Sequence, residues 1–123
     1  MMRGFVNDGC ELIVPLRIRG VSGNAETIES VLDTGFTEEL TLSVTAIARL
    51  GLRKVSRIDV ALADGSQRFV NIHAMEIEWN GLWRSVMVLA MGDDPLLGMK
   101  MIEGHSLKAE AVPGGTIEIV PLP

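Results

Sequence analysis

Between Glu11 and Arg19 the apolar residues Leu12, Val14, Leu16 and Ile18 alternate with others, the period-2 pattern of a strand with one buried face. Gly20 to Asn24 supplies a turn, and Thr27 to Leu32 a second strand that runs directly into Asp33-Thr34-Gly35. Ser43 is placed to cap a short helix through Gly51, because Val44, Ile47, Ala48 and Leu50 share a helical face and glycine suits the terminating position. Arg57 to Ala63 and Arg68 to Glu78 are strand-like and flank Asp64-Gly65-Ser66, which predicts a β-hairpin with a polar tip. Asn80-Gly81 marks a second tight hairpin, since both residue types tolerate positive φ, with Leu82 to Met91 as the returning strand. Gly92-Asp93-Asp94-Pro95 breaks that strand. A very short apolar element, Leu96-Leu97-Gly98, is followed by an expected helix from Met99 to His105. A last hairpin joins Leu107 to Val112 and Thr116 to Val120 through Pro113-Gly114-Gly115, and Pro121 to Pro123 reads as a frayed end. The pattern is mostly β with one or two short helices.

Composition narrows this picture. The chain has 123 residues, 47% of them hydrophobic, which suits one domain spanning residues 1–123 with a core of its own. No apolar run approaches the roughly 20 residues that span a bilayer, and no basic stretch leads into a long apolar segment at the amino end, so a soluble, cytoplasmic protein without a membrane partner is expected. Cys10 has no second cysteine to pair with, which excludes an internal disulfide and a cysteine-based zinc site; no cofactor and no metal are expected. The net charge of -5 is dispersed, without a basic cluster and with few aromatics for base stacking, which argues against nucleic acid as a partner. Met75, Met87, Met91, Met99 and Met101 fall in apolar stretches and are expected to fill gaps in the core.

The chemistry-bearing feature is the polar Asp33 delivered at the end of a largely apolar strand. A turn there exposes the carboxylate, Gly35 permits close approach of backbone or ligand, and the Thr34 hydroxyl can lock the loop. Alone, such a tripeptide is also found in plain loops. Its context is Val31-Leu32-Asp33-Thr34-Gly35-Phe36-Thr37, then the hairpin with its tip at Asp64 to Ser66, then Pro95-Leu96-Leu97-Gly98 before a short helix. This order of features resembles the retropepsin-like aspartic protease family, in which an apolar-apolar-Asp-Thr/Ser-Gly turn, a flap hairpin and a later apolar-apolar-Gly strand follow one another. The resemblance covers Glu11 to Val120.

The resemblance implies a retropepsin-like acid protease half-barrel that works as a twofold homodimer on a peptide or protein substrate. The chemistry of the family needs two carboxylates about 3 Å apart sharing one proton, whereas this chain carries a single Asp-Thr-Gly, so a second copy must supply the other Asp33. Asp33, Thr34 and Gly35 take the catalytic positions. Leu32, Phe36 and Leu96 are placed beside apolar substrate pockets, and Ala63, Asp64, Gly65 and Ser66 at the tip of the flap. Two departures from the retroviral pattern come together: Thr37 and Met99 stand where those members carry an Asp and an Arg that pair. Phe36 is also bulkier than the small residue usual there.

Other readings carry less. Gly20-Val21-Ser22-Gly23 lacks the spacing of a serine-hydrolase elbow. His73 and His105 read as a strand-face and a helix-end residue, Asp93-Asp94 as turn chemistry, and Glu38-Glu39 as an exposed loop pair. Two functions stay open: an aspartic endopeptidase, and a catalytically inactive dimerisation or peptide-binding module on the same fold. The intact Asp33-Thr34-Gly35 favours the enzyme, because a dimerisation surface has no chemical need for an acid at its axis.

Overall fold

The computed structural model describes residues 1–61 and 64–123. Its strands are β1 (Met2–Val6), β2 (Leu12–Arg19), β3 (Ala25–Leu32), β4 (Leu40–Leu42), β5 (Lys54–Ala61), β6 (Gln67–Trp79), β7 (Leu82–Ala90), β8 (Leu96–Leu97), β9 (His105–Ala109) and β10 (Thr116–Pro121). Two short helices, α1 (Val44–Leu50) and α2 (Met99–Ile102), complete it. The strands lie in the order β5-β6-β7-β4-β8-β3-β2-β1-β10-β9. The long β6 also reaches β2, pairing Ile77 with Ile18 and Glu76 with Arg19. That contact closes β2, β3, β8, β4, β7 and β6 into a ring, a small barrel with β5 hung on one side and β1, β10 and β9 on the other.

Period-2 patterning fills the ring. Val14, Leu16 and Ile18 of β2 are fully buried, and they meet Met75 and Ile77 of β6, Val86 and Val88 of β7, Leu40 and Leu42 of β4, and Leu97 of β8. Outside the ring closure, Arg19 forks onto both carboxylate oxygens of Glu76 at 3.1 Å, and Arg17 reaches Glu78 at 3.1 Å. These exposed pairs favour the β2–β6 register, at about 0–1 kcal/mol each.

The local signals act as anticipated at several points. The Ser43 hydroxyl accepts from the Ala46 amide at 3.1 Å to start α1, and Gly51 ends it at φ 65°. Asn80 and Gly81 take φ 52° and 81° in the β6–β7 turn.

Other elements depart from expectation. β1 is hidden in the sequence because Gly4 occupies one of its inward positions: a Cβ there would lie 2.1 Å from the Ile13 carbonyl oxygen, so close strand approach replaces an apolar side chain. β4 is three residues long and buried throughout, so it shows no alternation. α2 stops at Ile102 instead of His105, since Gly104 turns the chain at φ 81° and His105 already pairs with Pro121 in β9–β10. The same pairing, with the Leu122 amide donating to the Gly104 carbonyl at 2.9 Å, shows Pro121 and Leu122 tied down where fraying was expected. The first strand of the polar-tipped hairpin starts earlier than expected, at Lys54. Met75 and Met101 fill the core, but Met87 and Met99 are 44% and 40% exposed, on the outward positions of their elements.

The tightest crossing is at Gly98. Its amide donates to the Glu39 carbonyl at 2.9 Å, and a Cβ on it would fall 1.8 Å from the Glu38 carbonyl oxygen and 2.7 Å from Cδ2 of Phe36. Gly98→Ala is therefore expected to lower the unfolding free energy by at least about 1–3 kcal/mol, because main chain must move to admit one methyl. Urea unfolding checks this, and a curve superimposable on that of the parent chain would contradict it.

Candidate active site

β3 ends with its last residues held on both sides. The Val31 amide donates to the Pro95 carbonyl and the Asp33 amide to the Leu97 carbonyl, both at 2.9 Å, which makes β8 a parallel neighbour of β3. β8 also meets β4 in antiparallel fashion, Leu40 opposite Leu97, so the short apolar element threads between the two strands that bracket the Asp33 turn. The buried Thr41 contributes as well: its Oγ1 accepts from the Leu96 amide at 2.9 Å. Thr41 carries no signal in the sequence, since a hydroxyl inside a short buried strand leaves no periodic mark.

The turn itself is built from main-chain contacts. Asp33 Oδ1 accepts from the Gly35 amide at 2.9 Å, the Phe36 amide donates to the Asp33 carbonyl at 3.1 Å, and the Met99 amide donates to the Phe36 carbonyl at 2.8 Å. A Cβ on Gly35 would stand 3.3 Å from that Oδ1, tight enough to disturb the orientation of the carboxylate. Asp33 is half-buried while Thr34 and Gly35 are exposed, so the turn presents one carboxyl at the protein surface.

Beside the turn lies a cavity of about 340 Å³. Gly35, Phe36, Thr37 and Glu38 form one wall, and Ile58 to Ala61 of β5 with Leu89 and Met91 form the rest. Its apolar side chains and its position between the turn and the β5–β6 hairpin suit the side chain of an extended ligand. Phe36 thus joins the cavity, whereas Leu32 is 6% exposed and belongs to the core, where it supports the turn from behind. Leu96, paired with Val31, is half-buried and does not line this cavity. Of the four flap-tip residues, Ala63 lies outside the described residues. Asp64, Gly65 and Ser66 are exposed at the end of the hairpin and do not line the cavity.

The Asp64 carboxylate accepts from the Ser66 hydroxyl at 2.6 Å and the Ser66 amide at 2.9 Å, and these two bonds, the hydroxyl's first, hold its carboxyl below the usual aspartate range. Gly65, at φ 85°, gives the tip its tight reversal.

Glu38-Glu39 is not the exposed pair expected. The Glu39 side chain is only 13% exposed; Oε1 accepts from the Met87 amide at 2.9 Å and Oε2 from Arg84 at 3.0 Å. His105 opens β9 instead of ending a helix, and its Nε2 lies 3.3 Å from the Trp79 indole nitrogen, which donates to it. His73 Nδ1 sits 3.0 Å from the Leu52 carbonyl. Among the described residues no group of three or more His, Cys, Asp and Glu side chains converges on a metal position, and no helix is long and apolar enough to cross a membrane.

A retropepsin-like aspartic protease from Rickettsia conorii, known from its crystal structure, matches this chain with a TM-score of 0.62 over 98% of this chain and 92% of the other, at 13% identity. The fold is retropepsin-like. No family model matches the sequence, and no curated protein matches it either. The match runs nearly end to end, so it speaks for the fold of the whole chain and not for one part of it.

The Ser66 contacts generate a test at the hairpin tip. Because the folded-state pKa of Asp64 is depressed, its interaction with Ser66 favours the folded hairpin above the ordinary aspartate pKa and is lost as pH falls through the lowered value. Ser66→Ala is expected to move the Asp64 titration upward, toward the ordinary range, as followed by carboxyl-carbon NMR shifts. A midpoint that stays in place would contradict the assignment.

Proposed function

We propose that this protein is an aspartic endopeptidase, a hydrolase of peptide bonds that acts as a homodimer. The observation that carries the reading is the Asp33-Thr34-Gly35 turn at the end of β3, locked by β8 with its acid half-buried at the surface, in a chain of retropepsin-like fold. The chain contains one such turn, and acid–base hydrolysis by a carboxyl pair needs two, so the partner copy provides the second Asp33 at the twofold axis.

Two like charges about 3 Å apart do not both ionise readily, so one Asp33 carries the shared proton while the other is a carboxylate. The carboxylate takes a proton from a water molecule whose oxygen attacks the scissile carbonyl carbon, and the protonated Asp33 donates to the carbonyl oxygen. The tetrahedral diol collapses as the peptide nitrogen takes a proton from one Asp33, a diol hydroxyl returns its proton to the other, and the C–N bond breaks, which restores the singly protonated dyad. The Asp33 Oδ1 bond to the Gly35 amide fixes the orientation of the carboxyl without consuming its second oxygen.

In this reading Thr34, exposed beside Asp33, bonds across the axis, and Gly35 leaves room for the substrate main chain. Phe36 and the cavity beside it take a substrate side chain, Leu96 flanks the neighbouring position, and Leu32 backs the turn. The β5–β6 hairpin, with Asp64, Gly65 and Ser66 at its exposed end, closes over a peptide bound as an added strand.

The test is cleavage of a mixed peptide library between about pH 4 and 7 by a preparation shown to be dimeric. The parent dimer is expected to cleave, and Asp33→Asn to lose about 10²–10⁴-fold or more while remaining folded and dimeric. A verified dimer that cleaves nothing would replace this reading with the peptide-binding module.

A further inference from the structure

The Asp33 turn leaves β3 at Leu32 and returns to the barrel at Leu40, where β4 begins opposite Val88 of β7. Met87 therefore lies one residue past the end of the β4–β7 ladder. Its antiparallel partner in β6 is Ala74, and its own amide donates instead to Glu39 Oε1 at 2.9 Å. The carboxylate thus replaces the backbone acceptor that a longer β4 would have offered. Glu39 Oε2 accepts from Arg84, further back on β7, at 3.0 Å. The main-chain oxygen of the same residue accepts from the Gly98 amide at 2.9 Å. One residue therefore ties the far end of the turn to both neighbours of β4, with its side chain 13% exposed while that of Arg84 is 42% exposed.

We propose that Glu39 is a positioning residue for the Asp33 carboxyl. The proposal rests on the reading of Asp33 as the reacting group. The near end of the turn is fixed by the Asp33 amide on Leu97, and its middle by the Met99 amide on Phe36. The far end is fixed by Glu39, where the tie to β7 is made by a carboxylate side chain instead of the main chain. A displacement of about 1 Å at a reacting group costs on the order of 100-fold in rate, so a loosened far end is expected to appear in turnover more than in binding. The bond to the Met87 amide matters more than the exposed ion pair, because an orphaned strand amide is costly whereas an exposed charge pair contributes little.

The experiment compares Glu39→Ala, Glu39→Gln and Arg84→Met as full-length dimers. Glu39→Ala is expected to lower kcat about tenfold or more with KM within about twofold, and Glu39→Gln to recover kcat to within about threefold, because its amide oxygen still accepts from Met87. Arg84→Met is expected to keep kcat within about twofold. Amide hydrogen exchange, which needs no activity, is expected to quicken at Phe36, Gly98 and Met99 in Glu39→Ala, to return in Glu39→Gln, and to stay unchanged at Ile117 and Ile119 of β10. Equal losses in the Ala and Gln variants, a rise in KM at constant kcat, or unchanged exchange at those three amides would overturn the proposal. A parent dimer without peptidase activity would instead overturn the reading of Asp33, and the exchange comparison would still decide whether Glu39 holds the turn.

Discussion

The whole arrangement depends on one steric constraint, the passage of β8 between β3 and β4 with Gly98 pressed against the Glu38 carbonyl. Packing that close requires a residue without a Cβ, and it joins two oppositely directed strands into a single unit. Through that unit the Asp33 amide reaches Leu97, the Met99 amide reaches Phe36, and the Gly98 amide reaches Glu39. An acid at a strand end would otherwise sit on a mobile loop. Here its main chain is held by a rigid barrel, which is what a carboxyl needs in order to meet a reacting group reproducibly.

Much of this was legible where local chemistry and pattern agree. β3 alternates cleanly and β2 does so from Val14 onward, Ser43 and Gly51 bound α1 as their types dictate, and Asn80-Gly81 turns β6 into β7. The Asp33 turn and the Leu96-Leu97-Gly98 element were visible as motifs, and the structure brings them into direct hydrogen-bonding contact. What escaped has a common cause: the information is tertiary. Gly4 belongs to a strand because Ile13 approaches it, Thr41 is buried because β8 needs an acceptor, and Glu39 is drawn inward by a Met87 amide that lies far away in sequence. A pair of glutamates in a loop gives no local hint that one of them completes a sheet. The outward placement of Met87 on β7 and Met99 on α2 has the same origin, since hydrophobicity alone does not say which side of an element faces the core.

The turn is secured here without the Asp and Arg pair of the retroviral pattern, where Thr37 and Met99 stand. Met99 contributes its amide instead of a charged side chain, and charge appears on the other flank, in the Glu39 bond to β7. The cavity by Phe36, walled by Ile58, Val60, Leu89 and Met91, lies on the same side of the turn as the β5–β6 hairpin, so a ligand held there would touch both the turn and the hairpin. Fold and site therefore depend on the same contacts, and a change that loosens the crossing of β8 would reach the acid as well.

We propose that one Asp33 from each of two copies forms a single reacting pair. Subunit mixing measures this most directly, with parent and Asp33→Asn chains refolded together in equal amounts at fixed total concentration. If both carboxyls are required, only pairs of parent chains are active, and peptidase activity falls to about one quarter of that of the parent alone, as random twofold assembly dictates. Activity of about one half, the value for copies that each work independently, would contradict the account.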